Sequence, residues 1–341
     1  MLRDSLQKCN KMRYNITMTL TLYDNIIVGG GPAGLSAAIY MARFNRKVLV
    51  IDAGAAGPAS PEAAGGQHLK AHSGRWHTHE INENYLGFPR GIHTTALRAH
   101  GVRQAQKFGA EFAADQIATI RKMREGFALR GARSYRARTV ILASGVADYF
   151  PAFKHEPIYL GRSLFWCITC DGHKTIGKRV AVLGNNDEAA CTCMQLKIYH
   201  PKLTFVTNDP ERKLKLSPKW VQRLKRSRIP IIKGSVVGVK GSRGYFESIT
   251  LDSGETIATD YVFSLQPARP HVELAAQLGV QLSREGYVNT DSEQRTNVRR
   301  FYAAGDVTRN FAHQIASAVH EGSMAAQAAN YDLYDRNQIE D

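Results

Sequence analysis

Two stretches of the chain show the same order of hydrophobic and polar positions. The first runs from a β-rich segment at 23–28 through a glycine turn to a second apolar segment at 48–51, with Leu35, Ile39 and Ala42 at helical spacing between them. The second stretch begins at KRVAVLG and returns through LTFVTN. Each stretch predicts a βαβ unit, and together they predict an α/β protein with two Rossmann-like, three-layer domains.

Prolines and small residues mark the passages between these units. The segment TVILASGV reads as a buried strand, after which Pro151 and Pro157 predict a linker. A second linker, QPARP, follows an apolar segment at 261–265, and FYAAGDV then predicts a short strand with a Gly-Asp turn before an alanine-rich helix. We therefore expect the second domain to be inserted into the first.

The predicted boundaries follow from these passages. The first seventeen residues are polar and basic without a secretory pattern, so we expect a disordered arm, with either Met1 or Met18 as the start. The expected segments are an arm at 1–19, a discontinuous first domain at 20–150 and 267–334, and an inserted second domain at 151–266.

Composition narrows the class of protein. No apolar run approaches the ~18 residues of a membrane span, so we expect no membrane segment. Five cysteines in 341 residues do not form a disulfide framework, which predicts reduced thiols and a cytoplasmic protein.

The formal charge of +15 is concentrated in one region. Between Lys197 and Lys233, eleven basic residues stand against two acids. This run predicts a basic surface for an acidic partner protein, with a merely solvated basic face as the equal alternative. Because no nucleic-acid motif accompanies it, we expect no nucleic-acid partner.

Gly29, Gly31 and Gly34 form a G-x-G-x-x-G pattern between a predicted strand and a predicted helix, and Asp52 ends the next strand. Glycines there permit a tight turn and close approach of a pyrophosphate, while the acid can bind ribose hydroxyls. The pair Gly305 and Asp306 in FYAAGDV can hold the ribityl and pyrophosphate part of a flavin cofactor, which favours FAD over NAD.

The reactive chemistry is predicted at Cys167 and Cys170. A C-x-x-C pair closes a disulfide reversibly and stores two electrons, and Asp171 directly after it can shuttle a proton. Half of a zinc site is the alternative, but no second C-x-x-C or Cys-His pair exists in the sequence. Cys191 and Cys193 do not share a helix face, and we assign no metal ligands.

These motifs, together with GGQ at 65–67 and NENYLGFPRGI, occur in the order found in low-molecular-weight thioredoxin reductases, which the chain resembles from Asn25 to Tyr331. The resemblance implies that Cys170 faces the flavin, that Cys167 attacks the external disulfide, that Asp171 is the general acid and that the protein is a homodimer. It also implies that the discontinuous domain at 20–150 and 267–334 is the FAD-binding domain and that the inserted domain at 151–266 is a nucleotide-binding domain carrying the cysteine pair. The implied flavin pocket contains Pro32, Ala33, Gly66, Gln67, Asn84, Ala143, Gly145, Gln314 and Ile315.

The second fingerprint departs from that family. Where G-x-G-x-x-A is expected, the chain has GNNDEA at 184–189, which places the Asn186 side chain and two acids at the phosphate position. The basic 2′-phosphate motif is replaced by TNDP at 207–210, and Arg212 and Lys213 follow without the same fixed geometry. We therefore expect that NADPH is not the electron donor.

A chain that keeps the cysteine pair but has a damaged nucleotide site resembles two branches of this family. They are the ferredoxin-dependent flavin thioredoxin reductases and the diflavin-linked disulfide oxidoreductases. Trp166 can stack on a second flavin, although packing is the commoner use of such an aromatic. His68, His72, His77 and His79 read as a polar loop rather than a metal site.

The substrate expected is a thioredoxin-like protein or a small disulfide. The alternatives are an oxygen-using dithiol oxidase, an ordinary NADPH thioredoxin reductase and a redox-sensing binding protein.

Overall fold

The structure is a computed structural model that describes residues 20–54, 69–73, 81–309 and 311–334. The predicted arm at 1–19, the GGQ segment and His68, His77 and His79 lie outside the described residues. Within the described part, no helix is long and apolar enough to span a bilayer.

The described elements include βα units and runs of strands with no α-helix between them, the longest at 111–165 and 231–270. The helices are α1 (Pro32–Arg43), α2 (Thr94–Lys107), α3 (Ile168–Asp171), α4 (Asp187–Gln195), α5 (Pro218–Arg226), α6 (Glu273–Gln277) and α7 (Ile315–Tyr331). The strands are β1 (Leu22–Val28), β2 (Val48–Asp52), β3 (Leu69–Ser73), β4 (Ile81–Asn82), β5 (Ile92–His93), β6 (Glu111–Ala114), β7 (Thr119–Met123), β8 (Gly126–Arg130), β9 (Ser134–Leu142), β10 (Val146–Pro151), β11 (Leu164–Phe165), β12 (Arg179–Leu183), β13 (Lys202–Val206), β14 (Ile231–Ile232), β15 (Val236–Ser242), β16 (Tyr245–Leu251), β17 (Thr256–Ala258), β18 (Tyr261–Ser264), β19 (Arg269–Pro270) and β20 (Phe301–Ala303). Short 3-10 helices cover Glu156–Ile158, Gly172–Thr175 and Leu196–Tyr199.

The first sheet has the order β6-β2-β1-β9-β8-β7, and β20 pairs with β9. Its centre is parallel, since β1 pairs in parallel with both β2 and β9. Successive residues of β1 enter different cores, with Ile26 in one cluster and Ile27 in the other. Burial on both faces explains the uninterrupted apolar segments that the sequence shows at the central strands. Helices α1 and α7 contact each other along this sheet.

The second sheet, β11-β18-β12-β13-β14, is parallel throughout. All of its strands fall between β10 and β19 in the chain, while β20 returns to the first sheet. A small antiparallel sheet, β15-β16-β17, packs one face against the second sheet, and residues such as Phe246 belong to the hydrophobic core between them. The predicted α/β fold with one Rossmann-like unit inserted into another is confirmed.

Strands reach into the two predicted linkers at Pro151, which ends β10, and at Arg269–Pro270, which forms β19, while 152–155 and 265–268 are neither helix nor strand. β10 pairs antiparallel with β19, so that Val146 lies opposite Pro270, and it pairs on its other side with β3. The sequence prediction missed this pairing because it read proline only as punctuation. Pro270 is on an edge strand and Pro151 ends β10, and at these places a missing N–H costs little. β3 also corrects the predicted loop around His72.

Candidate functional site

The turn between β1 and α1 is shaped by glycines. Gly29 has φ +111°, and a Cβ atom on it would collide with the Ala143 carbonyl oxygen. A Cβ on Gly34 would overlap the Gly29 carbonyl oxygen, so the helix can approach the strand this closely only without side chains. Gly31 is the N-cap of α1, no side chain caps this terminus, and no acid lies in its first turn. The free N–H groups of α1 therefore suit an anion.

Asp52 is held at the end of β2 by three donors. Its Oδ2 accepts the Gly30 N–H, and its Oδ1 accepts the Gly54 N–H at 2.8 Å and Arg98 Nη2 at 3.1 Å. Arg98 extends from α2 and also reaches the Gly30 carbonyl oxygen with Nε at 3.4 Å. The carboxylate is thereby fixed beside the glycine turn with a guanidinium next to it. Sequence reasoning missed Arg98, since a single arginine on a polar helix gives no signal.

A cavity of about 540 Å³ runs from this turn to the cysteine pair. That volume lies in the range of 300 to 1,000 Å³, about what cofactor sites enclose. Every described residue that the sequence placed in the flavin pocket lines it except Gly34, which packs beneath the turn. The predicted residues on its wall are Gly29, Gly31, Pro32, Ala33, Asp52, Asn84, Ala143, Gly145, Gly305, Asp306, Gln314 and Ile315, joined by Trp166, Cys167 and Cys170. Wall residues that sequence reasoning missed include Arg98, Asp115, Gln116, Ile117, His271 and Glu273.

The Gly305–Asp306 turn is anchored by Glu321, a buried acid of α7. Its Oε2 accepts the Gly305 N–H at 2.7 Å and the Thr308 hydroxyl at 3.0 Å, and its Oε1 forms an ion pair with Arg309. The sequence did contain a signal for this residue. Glu321 stands three residues after Ala318 and four before Ala325, both buried, and an acid on an apolar helix stripe needs partners.

His271 is a further wall residue without a signal in the sequence. Its Nε2 is buried and has no hydrogen-bond partner within the described part of the chain. Burial lowers the pKa of the imidazole, which favours the neutral ring. Its backbone N–H donates to the Gly145 carbonyl oxygen at 3.0 Å, and this bond ties the segment after β19 to the cavity wall. The neutral Nε2 is a ready hydrogen-bond partner for a ligand in the cavity.

Cys167 and Cys170 form a disulfide at the start of α3, with Cα atoms 5.3 Å apart. Cys167 Sγ accepts the Cys170 backbone N–H at 3.2 Å. Gln314 directs its side-chain Nε2 at both sulfurs, 3.4 Å from Cys167 Sγ and 3.6 Å from Cys170 Sγ. Asn84 donates to Gln314 Oε1 at 2.9 Å. Residues from the NENYLGFPRGI segment and from the start of α7 therefore meet at the redox pair.

Asp171 follows the pair but does not line the cavity. Its side chain is buried and accepts a bond from Lys174 Nζ at 2.6 Å. Burial raises the pKa of the Asp171 carboxyl, and the Lys174 ammonium opposes that shift. Its backbone N–H donates to the Cys167 carbonyl oxygen at 3.1 Å, so it is tied to the pair through the backbone. Its role as general acid stays a prediction.

Trp166 is half-buried between the cavity and the core of the second unit. Its ring packs edge-on against Phe150, with centroids 5.4 Å apart. Trp166 therefore packs against the core, as the alternative prediction had it, and it also lines the cavity beside the cysteines.

The second βα turn is closed by its own side chains. Asn186 is the N-cap of α4 and accepts the Ala189 N–H at 2.8 Å, while Asp187 and Glu188 lie in the first turn. Asp187 Oδ1 accepts the Ser217 N–H at 2.8 Å, which draws the segment after β13 onto the turn. The N–H groups that would hold a pyrophosphate are thus partly used, and negative charge faces the rest.

Asn185 and Asp209 complete this closure. The Asn185 amide donates to Asp209 Oδ2 at 2.9 Å and accepts the Lys215 N–H at 2.8 Å. Asp209 also accepts from Lys215 Nζ at 3.0 Å and from the Glu211 N–H at 2.9 Å. Burial alone would raise the pKa of Asp209, but these donors outweigh it and hold the pKa below its ordinary value. A carboxylate of the protein therefore stands beside the second βα turn.

Arg212 and Lys213, the two residues considered as replacements for the basic 2′-phosphate motif, already form ion pairs with acids of the chain. Arg212 Nε lies 3.4 Å from Asp252 Oδ2, and Lys213 forms an ion pair with Glu211. Thr207 and Asn208 are buried and accept backbone N–H bonds from Gly234 and Val236. This segment supports the second sheet through these bonds.

The basic run predicted between Lys197 and Lys233 forms an exposed surface on α5 and its neighbours. All eleven of its Lys and Arg residues are exposed. On α5, the Arg223 guanidinium lies 4.8 Å from the centre of the half-buried Trp220 ring. The surface, called here the α5 face, consists of Lys197, Lys202, Arg212, Lys213, Lys215, Lys219, Arg223, Lys225, Arg226, Arg228 and Lys233.

Comparisons with known proteins agree with this geometry. The sequence pattern of the pyridine nucleotide-disulphide oxidoreductase family matches residues 23–329. A thioredoxin reductase of Treponema pallidum (strain Nichols) is 32% identical over 316 residues, which cover 91% of this chain and 96% of the relative. A thioredoxin reductase of Bacillus subtilis (strain 168) is 30% identical over 321 residues, with 91% and 94% covered.

Among solved structures, the thioredoxin reductase of Streptococcus pyogenes MGAS5005 superimposes with a TM-score of 0.78 at 26% identity. That alignment covers 92% of this chain and 98% of the other. The predicted enzyme class is confirmed by these matches. The chain belongs to the pyridine nucleotide-disulphide oxidoreductase family and is a thioredoxin reductase-like, FAD-dependent disulfide oxidoreductase.

Proposed function

We propose that this enzyme passes electrons through the Cys167–Cys170 pair to a thioredoxin-like disulfide and takes them from a donor other than NADPH. The observation that carries the proposal is the contrast between an open first βα turn and a closed second one. This contrast supports our assignment of the protein to the nicotinamide-independent branch of the thioredoxin reductase-like family.

We assign FAD to the cavity that joins the first turn to the cysteines. Three features support the assignment: an uncapped α1 terminus, a glycine turn that admits no Cβ, and a volume suited to a cofactor. FAD bound there would supply two-electron exchange with a dithiol. The residues assigned to it are Gly29, Gly31, Pro32, Ala33, Gly34, Asp52, Asn84, Ala143, Gly145, Gly305, Asp306, Gln314 and Ile315, with Gly66 and Gln67 assigned from sequence alone.

The chain's own cysteines carry the second half of the reaction. Uptake of two electrons and one proton breaks the Sγ–Sγ bond and leaves a thiolate on Cys167 and a thiol on Cys170. The Cys167 thiolate attacks one sulfur of the partner disulfide, whose second sulfur leaves as a thiolate and takes up a proton. Cys170 then loses its proton and attacks Cys167 Sγ, which restores the pair and releases the reduced partner. We assign Asp171 to the proton transfer.

The closed second turn supports the exclusion of NADPH. Asn186 and Asp187 use their side chains to satisfy backbone N–H groups, and Asp209 fills the adjoining space with a carboxylate. A nicotinamide dinucleotide would need to displace these bonds and face three acids at one helix terminus. Phosphate next to carboxylate is repulsive at the distances of this turn.

The α5 face supports an acidic protein as donor. A basic surface of this density attracts an acidic partner at long range and raises its association rate. A reduced ferredoxin is the donor we propose first. A second flavin beside Trp166 is the alternative donor, favoured by the position of that ring on the cavity wall. The proposal includes a homodimer in the cytoplasm.

The test is an anaerobic reduction experiment on the purified holoenzyme. The flavins released per chain are counted first, and then NADPH is added while the visible flavin absorbance is followed. We expect no bleaching by NADPH and full bleaching by dithionite or reduced ferredoxin. Rapid stoichiometric bleaching by NADPH would refute the proposal, and two flavins per chain would favour the second flavin. Air reoxidation with stoichiometric peroxide would instead indicate an oxygen-using dithiol oxidase.

A further inference from the structure

The side-chain amide of Gln314, the N-cap residue of α7, lies against the disulfide. Its Nε2 lies within 3.4 Å of Cys167 Sγ and 3.6 Å of Cys170 Sγ. A disulfide sulfur is a weak acceptor, whereas a thiolate is a charged and much stronger one. The same N–H therefore gains strength when the pair is reduced and a thiolate forms in front of it.

The orientation of this amide is fixed from two sides. Asn84 Nδ2 donates to Gln314 Oε1 at 2.9 Å, and this bond turns the oxygen towards Asn84 and the NH₂ group towards Cys167 Sγ, while Oε1 lies 3.8 Å from Cys170 Sγ. The backbone is held by Ser317, whose hydroxyl donates to the Ala312 carbonyl oxygen at 2.7 Å and lies 3.4 Å from Gln314 N. Ala312 adopts φ +58°, which turns the chain into α7.

Cys167 is the sulfur with the better set of donors. It accepts the Cys170 backbone N–H at 3.2 Å and Gln314 Nε2 at 3.4 Å, whereas the two donors at Cys170 Sγ, Gln314 Nε2 and Asn84 Nδ2, lie at 3.6 and 3.9 Å. The closer donors favour the charged form of the Cys167 thiol over that of its neighbour. This difference selects Cys167 as the residue that carries the negative charge after reduction.

We propose that Gln314 is a catalytic residue that donates its Nε2 hydrogen to the Cys167 thiolate, and that Asn84 is the positioning residue that keeps the amide turned towards it. The inference rests on the proposed disulfide exchange and deepens it. It assigns to the Gln314 side chain a task in addition to its place in the predicted flavin pocket. Other charged or titratable groups around the pair, unchanged in the variants below, are Asp171, His173, Lys174, Glu83, Asp306, His271 and His313.

The test measures the alkylation rate of Cys167 by iodoacetamide against pH in the reduced holoenzyme, with peptide mass spectrometry assigning the site. Gln314→Leu should move the midpoint upward by about one pH unit, because a bond to a charged acceptor is lost. Gln314→Glu should move it further, since a carboxylate replaces the donor. Gln327→Leu, an exposed position on the same helix, is the control and should leave the midpoint in place.

Asn84→Leu removes the donor without adding charge beside the sulfurs. The Gln314 amide is then free to turn its NH₂ group away from the sulfurs, so the midpoint should rise towards that of Gln314→Leu. In the Gln314→Leu background, Asn84→Leu should then add little. The inference is overturned if Gln314→Leu retains FAD and the wild-type midpoint, and its positioning part is overturned if the Asn84→Leu shift persists without Gln314.

These outcomes are distinct from a failure of the proposed function. Absence of exchange between the wild-type enzyme and any thioredoxin would refute the function, whatever the alkylation midpoints are. Normal exchange with unchanged midpoints in the Gln314 variants would refute the inference alone. Flavin content per chain, measured for each variant, identifies any change that only reflects loss of the cofactor.

Discussion

The two βα turns share one backbone plan, but the helix N-termini that they lead into differ in capping and in charge. At the first, α1 begins at Gly31 with no side-chain cap and no acid in its first turn. At the second, α4 begins at Asn186 with a side-chain cap and two acids in its first turn. An uncapped terminus needs an anion from elsewhere, whereas a capped and acidic one has already met that need. A few side chains thus distinguish a helix terminus that is open to an anion from one that is already capped and acidic.

The largest effect is expected at the first turn. Gly29→Ala forces a side chain into a left-handed backbone and against the Ala143 carbonyl oxygen, so FAD affinity should fall by about a hundredfold or more. Flavin content per chain and FAD titration measure it. Gly254→Ala is the matched control, because Gly254 has φ +85° with open space around it and lies away from the cavity. Retention of FAD by Gly29→Ala would contradict the assigned site.

Charge reversal on the α5 face should have the next largest effect. Lys225→Glu with Arg226→Glu should lower the second-order rate of reduction by ferredoxin about tenfold at low salt, and less at high salt. Stopped-flow flavin absorbance gives the rate. The control is Arg121→Glu with Lys122→Glu on β7, which makes the same change in net charge at exposed positions of the other unit. Equal rates for the two pairs would show that only net charge matters.

Asp209 should stabilise the closed second turn in a pH-dependent way. Its folded pKa lies below the ordinary 3.8, so its contribution is present above that value and is lost as the pH falls below it. Asp209→Asn should lower the free energy of unfolding by about 1 to 2 kcal/mol at neutral pH, with the difference shrinking below the ordinary pKa. Urea unfolding of both proteins at neutral pH and at a pH below 3.8 measures this difference in the free energy of unfolding. Glu188→Gln, an exposed acid of the same region, should change it by less than about 0.5 kcal/mol.

The smallest effect is expected from reopening the second turn. Asn186→Gly with Asp187→Ala and Glu188→Ala removes the cap and both acids, so weak NADPH binding with a Kd of about 1 mM should become detectable by calorimetry. Removal of two acids elsewhere, through Glu247→Ala with Glu255→Ala at exposed positions, controls for net charge. Tight NADPH binding by the unmodified protein would mean that the closure is not a barrier.

Local patterns in the sequence predicted a large part of this structure. The strand before Gly29, the helix after it and the equivalent pair around GNNDEA follow from apolar spacing and turn residues alone, since each depends on near neighbours. The cysteine pair and the departure at 184–189 were also readable, because a chemical group or a missing glycine is visible without knowing its surroundings. The order of these units indicated the insertion of one domain into the other.

Tertiary structure alone decided the contacts between distant segments. The pairing of β10 with β19 joins residues more than a hundred positions apart, and proline hid it. Arg98 reaches Asp52 from another helix, and Asn84 meets Gln314 across 230 positions. The closure of the second turn by Asp209 depends on how the segment after β13 folds back. Such contacts arise from the packing of whole elements, and the spacing of residues along the chain holds no record of that packing.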